Sequence, residues 1–99
     1  MSFNRLELSA ELAKIAELRY TPAGIPVLSF HLLHVSEQVE AKLKRRVECD
    51  VPSVAMGQLA LETQTIAEGT QVKVTGFLAK RSLKSAQLVL HIQTLEKII

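Results

Sequence analysis

The fold is decided by the stretch YTPAGIPVLSFHL, from Tyr20 to Leu32. Pro22 fixes its own φ, and Gly24 can adopt a positive φ at no steric cost, so the stretch begins with a tight turn that joins two extended segments. Apolar and polar residues then alternate, which is the two-residue period of a β-strand. The apolar side is formed by Leu28, Phe30 and Leu32, and the polar side by Ser29 and His31.

Three later segments have the same period and are predicted to be strands. In the first of them Val47, Cys49 and Val51 form a core face, and Pro52 is expected to end the strand. The other two segments are Val72–Leu78 and Leu88–Gln93.

The segments between these strands differ in composition. Ser36–Arg45 is rich in polar residues and predicts a long, exposed hairpin loop. Val54–Glu62 is dominated by Ala, Leu, Met and Gln, which favour a short helix. Lys80–Ala86 predicts a second exposed loop, which is basic.

The first segment, Leu6–Tyr20, fits two patterns. Leu8, Leu12 and Ile15 have helical spacing, and local propensity slightly favours a helix. The segment also alternates as a strand would, and the four later strands need one more to close a small barrel. The order strand, strand, strand, helix, strand, strand is that of the five-stranded OB-fold. We therefore predict an all-β chain that forms a single OB-fold domain over residues 1–99, with a short helix or loop between strands three and four.

The composition is that of a folded protein, with 47% hydrophobic and 22% charged residues. Charges at Arg5, Glu7 and Glu11 interrupt the N-terminus, which excludes a signal peptide, and no segment has the roughly 18 apolar residues of a membrane span. The single cysteine cannot form an internal disulfide, in agreement with a reducing compartment. The sequence predicts a soluble protein of the cytoplasm.

The formal net charge of +2 is too small to indicate a nucleic-acid partner, so the placement of the charges matters more. Seven of the twelve Lys and Arg residues lie in two short segments, KLKRR (residues 42–46) and KRSLK (residues 80–84). In an OB-fold, loops of this kind flank the face that binds single-stranded nucleic acid or oligosaccharide. A solvated hairpin tip without function would have the same composition.

Single-strand binding without sequence preference needs cations along the backbone and flat side chains against the bases. The aromatic residues are Phe3, Tyr20, Phe30 and Phe77. Phe30 is on the core face, and the candidate platforms for a base are Tyr20 and Phe77. The predicted strand-binding residues are Arg19, Tyr20, Lys42, Lys44, Arg45, Arg46, Phe77, Lys80, Arg81 and Lys84.

No constellation in the sequence indicates catalysis, a cofactor or a metal. His31 and His34 are three apart on a strand and therefore point to opposite faces, and His91 lies on another strand. Asp50 is the only aspartate, and no phosphate-binding glycine-rich loop is present. We therefore predict that the chain is not an enzyme.

Three motifs resemble those of a known protein superfamily. They are N-R-L-x-L-S at Asn4–Ser9, T-P-x-G-x-x-V-x-x-F-x-L at Thr21–Leu32, and G-x-x-V-x-V-x-G-x-L at Gly69–Leu78. Together and in this order they resemble the bacterial single-stranded-DNA-binding protein superfamily. Ordinary members carry a long tail after the last strand, and this chain ends soon after it, so a short primosomal branch of the superfamily is favoured.

The resemblance implies a homodimer formed by pairing of the first strands, and binding of single-stranded DNA during replication restart. It also implies contact with the primosomal helicase and, in some bacteria, with a partner that delivers the helicase loader. Related proteins often have an aromatic residue where this chain has Leu43 and another near Glu48, so affinity should depend strongly on salt. A protein–protein adaptor on the same scaffold and an RNA-binding domain remain open as alternatives.

Overall fold

A computed structural model describes the whole chain, Met1–Ile99. Strands and short turns make up most of it, and its one helix has six residues. No helix is long and apolar enough to cross a membrane. The elements are β1 (Leu6–Ala13), β2 (Arg19–Tyr20), β3 (Pro26–Glu40), β4 (Leu43–Met56), α1 (Gln58–Thr63), β5 (Gln71–Lys80) and β6 (Leu88–Lys97).

The strands form one sheet in the order β1-β5-β6-β4-β3-β2, and a further pairing of β1 with β3 closes it. β1 pairs with β5 along Leu6–Glu11 and with β3 along Glu11–Ala13. The first segment is therefore a strand, and the five long strands make a closed barrel with a short helix after the third of them. The predicted all-β OB-fold is confirmed.

The barrel interior is filled by aliphatic side chains around Phe30, which is 1% exposed. Phe30 and its neighbours Leu28 and Leu32 alternate along β3, as the sequence pattern predicted. Burial of a Leu or Phe side chain contributes about 1.5–3 kcal/mol, so this one row is a large part of the core energy. The other fully buried large side chains include Leu12, Val72, Val74 and Leu90.

Gly76 lies where β6 leaves no space for a Cβ atom on β5. The register between the two strands shifts at Thr75/Gly76, which marks a β-bulge. A Cβ atom at Gly76 would stand 2.0 Å from the carbonyl oxygen of His91. Only glycine therefore allows this approach.

The prediction of a long hairpin loop over Ser36–Arg45 is wrong. β3 and β4 stay paired as far as Glu40 opposite Leu43, and only Ala41 and Lys42 form the turn, with φ values of 52° and 67°. A two-residue turn with both φ values positive matches the twist of the strands it joins. Val35–Glu48, called the ribbon below, extends beyond the rest of the barrel, and its polar composition reflects solvent on both faces.

Pro52 does not end its strand, because β4 continues to Met56. The carbonyl of Ser29 accepts a hydrogen bond from Ala16, so Ser29 and, by alternation, His31 direct their backbone groups away from β4. Pro52 is opposite His31 and therefore needs no N–H for this pairing. On the other side of β4, β6 pairs only with Ser53 and Val54, the two residues after Pro52.

Two further predictions on this strand are wrong. Cys49 is exposed, since it lies on the part of β4 that no other layer covers. The helix is also shorter than predicted, because Val54–Met56 belong to β4 and α1 begins only at Gln58. Gly57 separates strand from helix with a positive φ of 70°.

Candidate nucleic-acid interface

A groove of about 480 Å³ crosses the outer face of β3, β4 and β6. Its floor is formed by outward side chains of these strands, and three cations lie around it. The floor residues include Ser29, His31, Pro52, Val54, Val89 and His91, and the cations are Lys14, Arg19 and Arg81.

The turn that begins with Thr21 shapes one end of the groove. Gly24 has a φ of 85°, and its N–H donates to the carbonyl of Thr21 at 2.8 Å. The Thr21 hydroxyl accepts a second bond, 3.1 Å long, from the N–H of Ile25. The predicted turn is confirmed, and the β2–β3 pairing it permits places Arg19 on the groove. Tyr20 is 59% exposed beside the turn but does not line the groove.

The loop between β5 and β6 shapes the other end. Arg81 donates from its backbone N–H to the Gln87 carbonyl and from its guanidinium to Gln87 Oε1, both at 2.9 Å. Lys80 and Lys84 are exposed in the same segment, which contains no acidic residue. No carboxylate pairs with these three cations or with Arg19. This end of the groove is therefore positively charged.

Phe77 provides a flat surface next to the groove floor. It is half-buried and stacks on His91 with 5.0 Å between ring centroids and 7° between ring planes. The two residues are direct partners in the β5–β6 register, and His91 lines the groove. The sequence indicated Phe77 but not His91, because only the register of the strands brings these two rings together.

Lys14 and His31, which line the groove, form a cluster with Asp50 that the sequence did not indicate. His31 Nδ1 is 2.5 Å from Asp50 Oδ1, and Lys14 Nζ is 3.0 Å from Oδ2. Because a carboxylate only accepts, both nitrogens donate. The hydrogen bond from His31 and then that from Lys14 hold the pKa of Asp50 below its ordinary value of 3.8. Asp50 is therefore a carboxylate at neutral pH.

This cluster predicts how stability depends on acid. Because the pKa of Asp50 is lower in the folded chain, its charge stabilises the fold fully above the ordinary value of 3.8. The contribution disappears as the pH falls through the lower pKa of the folded state. Urea unfolding of Asp50→Asn should therefore show a deficit against the parent chain at pH 7 that vanishes in stronger acid. A deficit that persists unchanged in strong acid would contradict the prediction.

The basic residues of the ribbon divide between its two faces. Side chains alternate along a strand, and the register puts Lys44 opposite Val39 and Arg46 opposite Glu37, on the face that continues the groove floor. Arg45 is opposite Gln38 and therefore lies on the other face. Lys42 is at the turn. The predicted cluster of four cations is thus not one surface.

Three of these four cations have a carboxylate partner within the ribbon. Lys44 Nζ lies 3.7 Å from Glu37, Arg45 lies 2.8 Å from Glu40, and Arg46 lies 2.7 Å from Glu48. The ribbon therefore has much less free positive charge than the loop between β5 and β6. The sequence did show both sets of charges, but their pairing depends on the register.

His31 and His34 lie on opposite faces of β3. His34 Nδ1 donates to the Ser9 carbonyl at 2.6 Å, on the face opposite His31. No group of three or more His, Cys, Asp or Glu side chains is placed to hold a metal ion.

Comparison with known proteins agrees with the barrel fold. A family model described as "Another single-strand binding protein family" matches residues 4–94. The chain is thus an OB-fold of the single-strand-binding type. The "Replication restart protein PriB" of Bordetella pertussis is 44% identical over 95 residues, which are 96% of this chain and 89% of that protein. The protein of the same name from Neisseria meningitidis serogroup B is 41% identical over 98 residues, 98% of this chain and 97% of the other.

Solved structures give the same assignment. PriB from Ralstonia solanacearum has a TM-score of 0.88 and 38% identity, covering 97% of this chain and 98% of that one. The single-stranded DNA binding protein of Thermus aquaticus has a TM-score of 0.78 at 20% identity, covering 98% of this chain and 50% of the other, and shows the fold alone. The chain belongs to the PriB proteins within the single-strand-binding family.

Proposed function

We propose that this chain binds single-stranded DNA without sequence preference and acts as an accessory protein of replication restart. The observation that carries the proposal is the groove, which has unpaired cations at both of its ends and the half-buried Phe77–His91 ring pair at its floor. Arg19 stands at one end and Arg81 at the other. The chain acts by binding and needs no cofactor or metal.

The charges set where the strand lies. Lys80, Arg81 and Lys84 have no carboxylate partner, so phosphates gain most at the end of the groove that the β5–β6 loop forms. Lys42, Lys44, Arg45 and Arg46 contribute less, since three of them are already paired and one of those faces away.

The bases are recognised by stacking and not by edge contacts. Phe77 and His91 already form a stacked pair, and a base on the groove floor extends that stack. Tyr20 provides a second ring where the strand leaves the groove beside the turn. Base stacking contributes about 1–3 kcal/mol per base, so even two platforms add substantially to the phosphate contacts.

The direct test is a titration of fluorescein-labelled oligo-dT of about 30 nucleotides, followed by anisotropy at several salt concentrations. We expect submicromolar affinity at low salt and a log–log slope of roughly −0.7 for each phosphate neutralised. Absence of binding by micromolar protein at low salt would reject the function.

A homodimer formed through β1 completes the proposal. The carbonyl of Leu12 accepts from the N–H of Gly69, and the N–H of Leu12 donates to the carbonyl of Thr70, so the backbone groups of Leu12 point to the β5 side. Backbone direction alternates along the strand, so those of Ser9, three residues away, point to the other side. Between Ser9 and the ribbon there is a cavity of about 650 Å³ instead of a strand. The Ser9 carbonyl on this edge accepts from His34, and the rest of the edge has no neighbouring strand. It fits β1 of a second copy, which would also protect that edge.

A proline at Ser9 tests this arrangement. Ser9→Pro removes an N–H only from the free edge and leaves the bonds of β1 to β5, so we expect a monomer by sedimentation equilibrium where the parent chain is a dimer. Leu8→Pro removes a bond to β5 and should instead lower the thermal unfolding midpoint. A Ser9→Pro dimer as tight as that of the parent would contradict pairing through this edge.

Contacts with the primosomal helicase and a helicase-loader partner belong to the same proposal, and both place the chain in the cytoplasm. The ion-paired ribbon favours a second candidate function, a protein–protein adaptor that hardly binds DNA. Its paired charges suit a protein surface with charges of both signs better than a uniformly negative strand. Helicase binding without oligo-dT binding would select the adaptor.

A further inference from the structure

On the groove face of the ribbon, carboxylates occupy the cations that a DNA phosphate would otherwise contact. We propose that Glu37 and Glu48 compete with the DNA backbone for Lys44 and Arg46, and so weaken strand binding along the ribbon. This inference rests on the proposed function, because it concerns how tightly the same surface holds a strand. It assigns a role in setting affinity to two acidic residues on an otherwise basic surface.

The geometry of Arg46 is the strongest support. Its Nε and Nη2 donate to the same oxygen, Glu48 Oε1, at 2.9 and 2.7 Å. The donors of one edge of the guanidinium are thus engaged, and these are the donors that would grip a phosphate. A phosphate that binds through these donors must displace Glu48, and the released carboxylate then stands beside the phosphate.

Lys44 is also paired with a glutamate, at a longer distance than Arg46. Its ammonium lies 3.7 Å from Glu37, a residue that is paired with Arg46 in the register and shares its face. Glu37 is therefore a cross-strand neighbour of both cations of the groove face. A phosphate bound there would meet a negative charge within reach of both.

These pairs are weak enough to exchange. The side chains of the three ribbon pairs are 62–81% exposed, and water screens such pairs strongly. An exposed pair changes an equilibrium by about two- to fivefold. The glutamates therefore reduce affinity without blocking binding, as suits a protein that must release its strand.

The other face of the ribbon offers a matched control. Glu40 pairs with Arg45 at 2.8 Å, with exposure similar to that of the other pairs. Because Glu40 and Arg45 lie away from the groove, releasing Arg45 provides no cation to the strand path. Glu62, on α1, is exposed and makes no ion pair, so Glu40→Gln with Glu62→Gln matches the charge change of the test variant.

The experiment compares Glu37→Gln/Glu48→Gln with Glu40→Gln/Glu62→Gln and the parent chain, using labelled oligo-dT of about 30 nucleotides over a range of salt. The test variant should bind about five- to tenfold tighter at low salt, and its log–log slope should be steeper by up to about 1.4, for two added phosphate contacts. The control variant should stay within about twofold of the parent, with an unchanged slope. Circular dichroism and thermal unfolding should show all three folded alike.

Equal tightening in both variants would overturn the inference, since it would report net charge alone. No change in the test variant would overturn it too, while binding by the parent would leave the proposed function intact. If neither parent nor variants bind, the proposed function fails and this inference with it. Binding by the test variant alone would support the inference and show that the two glutamates suppress the function.

Discussion

Replacing Lys80, Arg81 and Lys84 together with alanine should weaken oligo-dT binding by roughly 100-fold at about 50 mM salt. No carboxylate neutralises these cations, so each can displace a counterion from the strand. Loss of three such contacts should also make the log–log salt slope shallower by about 2. Anisotropy titrations at four or more salt concentrations measure both quantities.

The matched comparison is Lys44→Ala/Arg45→Ala/Arg46→Ala, which removes the same charge from the ribbon. All three cations are ion-paired and one faces away from the groove, so we expect less than about a tenfold loss of affinity. Equal losses in the two triple variants would show that net charge, and not the free cations of the β5–β6 loop, controls binding.

Gly76→Ala should lower the free energy of unfolding by about 3 kcal/mol, the upper range for overpacking. The added Cβ would meet the backbone of His91 at 2.0 Å, and backbone cannot move aside as a flexible side chain would. The two strands must separate at the bulge, which also moves Phe77 away from His91. Urea unfolding followed by circular dichroism measures the change.

Gly69→Ala provides the control for backbone conformation alone. Gly69 has a φ of 89° and open space around its Cα, so alanine there costs only the left-handed strain of about 1–2 kcal/mol. A loss at Gly76 no larger than that at Gly69 would contradict the close approach of β5 and β6.

Much of the fold was predictable, because each barrel strand has one buried face and one face exposed to solvent. The alternation around Phe30 and Val74 directly reports that difference. β1 was ambiguous by propensity, and only the need to close the barrel decided it. The ribbon was missed since solvent covers both its faces, which removes the alternation, and since Ala41-Lys42 is not one of the usual sequences for its turn. Cys49 was misplaced for a different reason: it alternates with Val47 and Val51 as a core residue would, but no other layer covers β4 at that point.

The candidate site was predictable in composition but not in geometry. The sequence shows which residues are cationic, yet Arg45 and Arg46 lie on opposite faces only because of the strand register. Lys14 and His91 reach the groove from elements that are distant in the chain. Proximity of this kind comes from the closed barrel, so no local pattern indicates it.

The pairing of β1 with β5 has a consequence for the order of folding. β3 and β4 are joined by a turn of two residues, so they can pair as soon as both exist. β1 must instead wait for residues more than half the chain length away, from Gln71 to Gly76. Closing so long a loop costs entropy before any contact rewards it. During synthesis the ribbon can therefore form early, whereas the barrel, and the groove across it, can be completed only after β5 and β6 have been made.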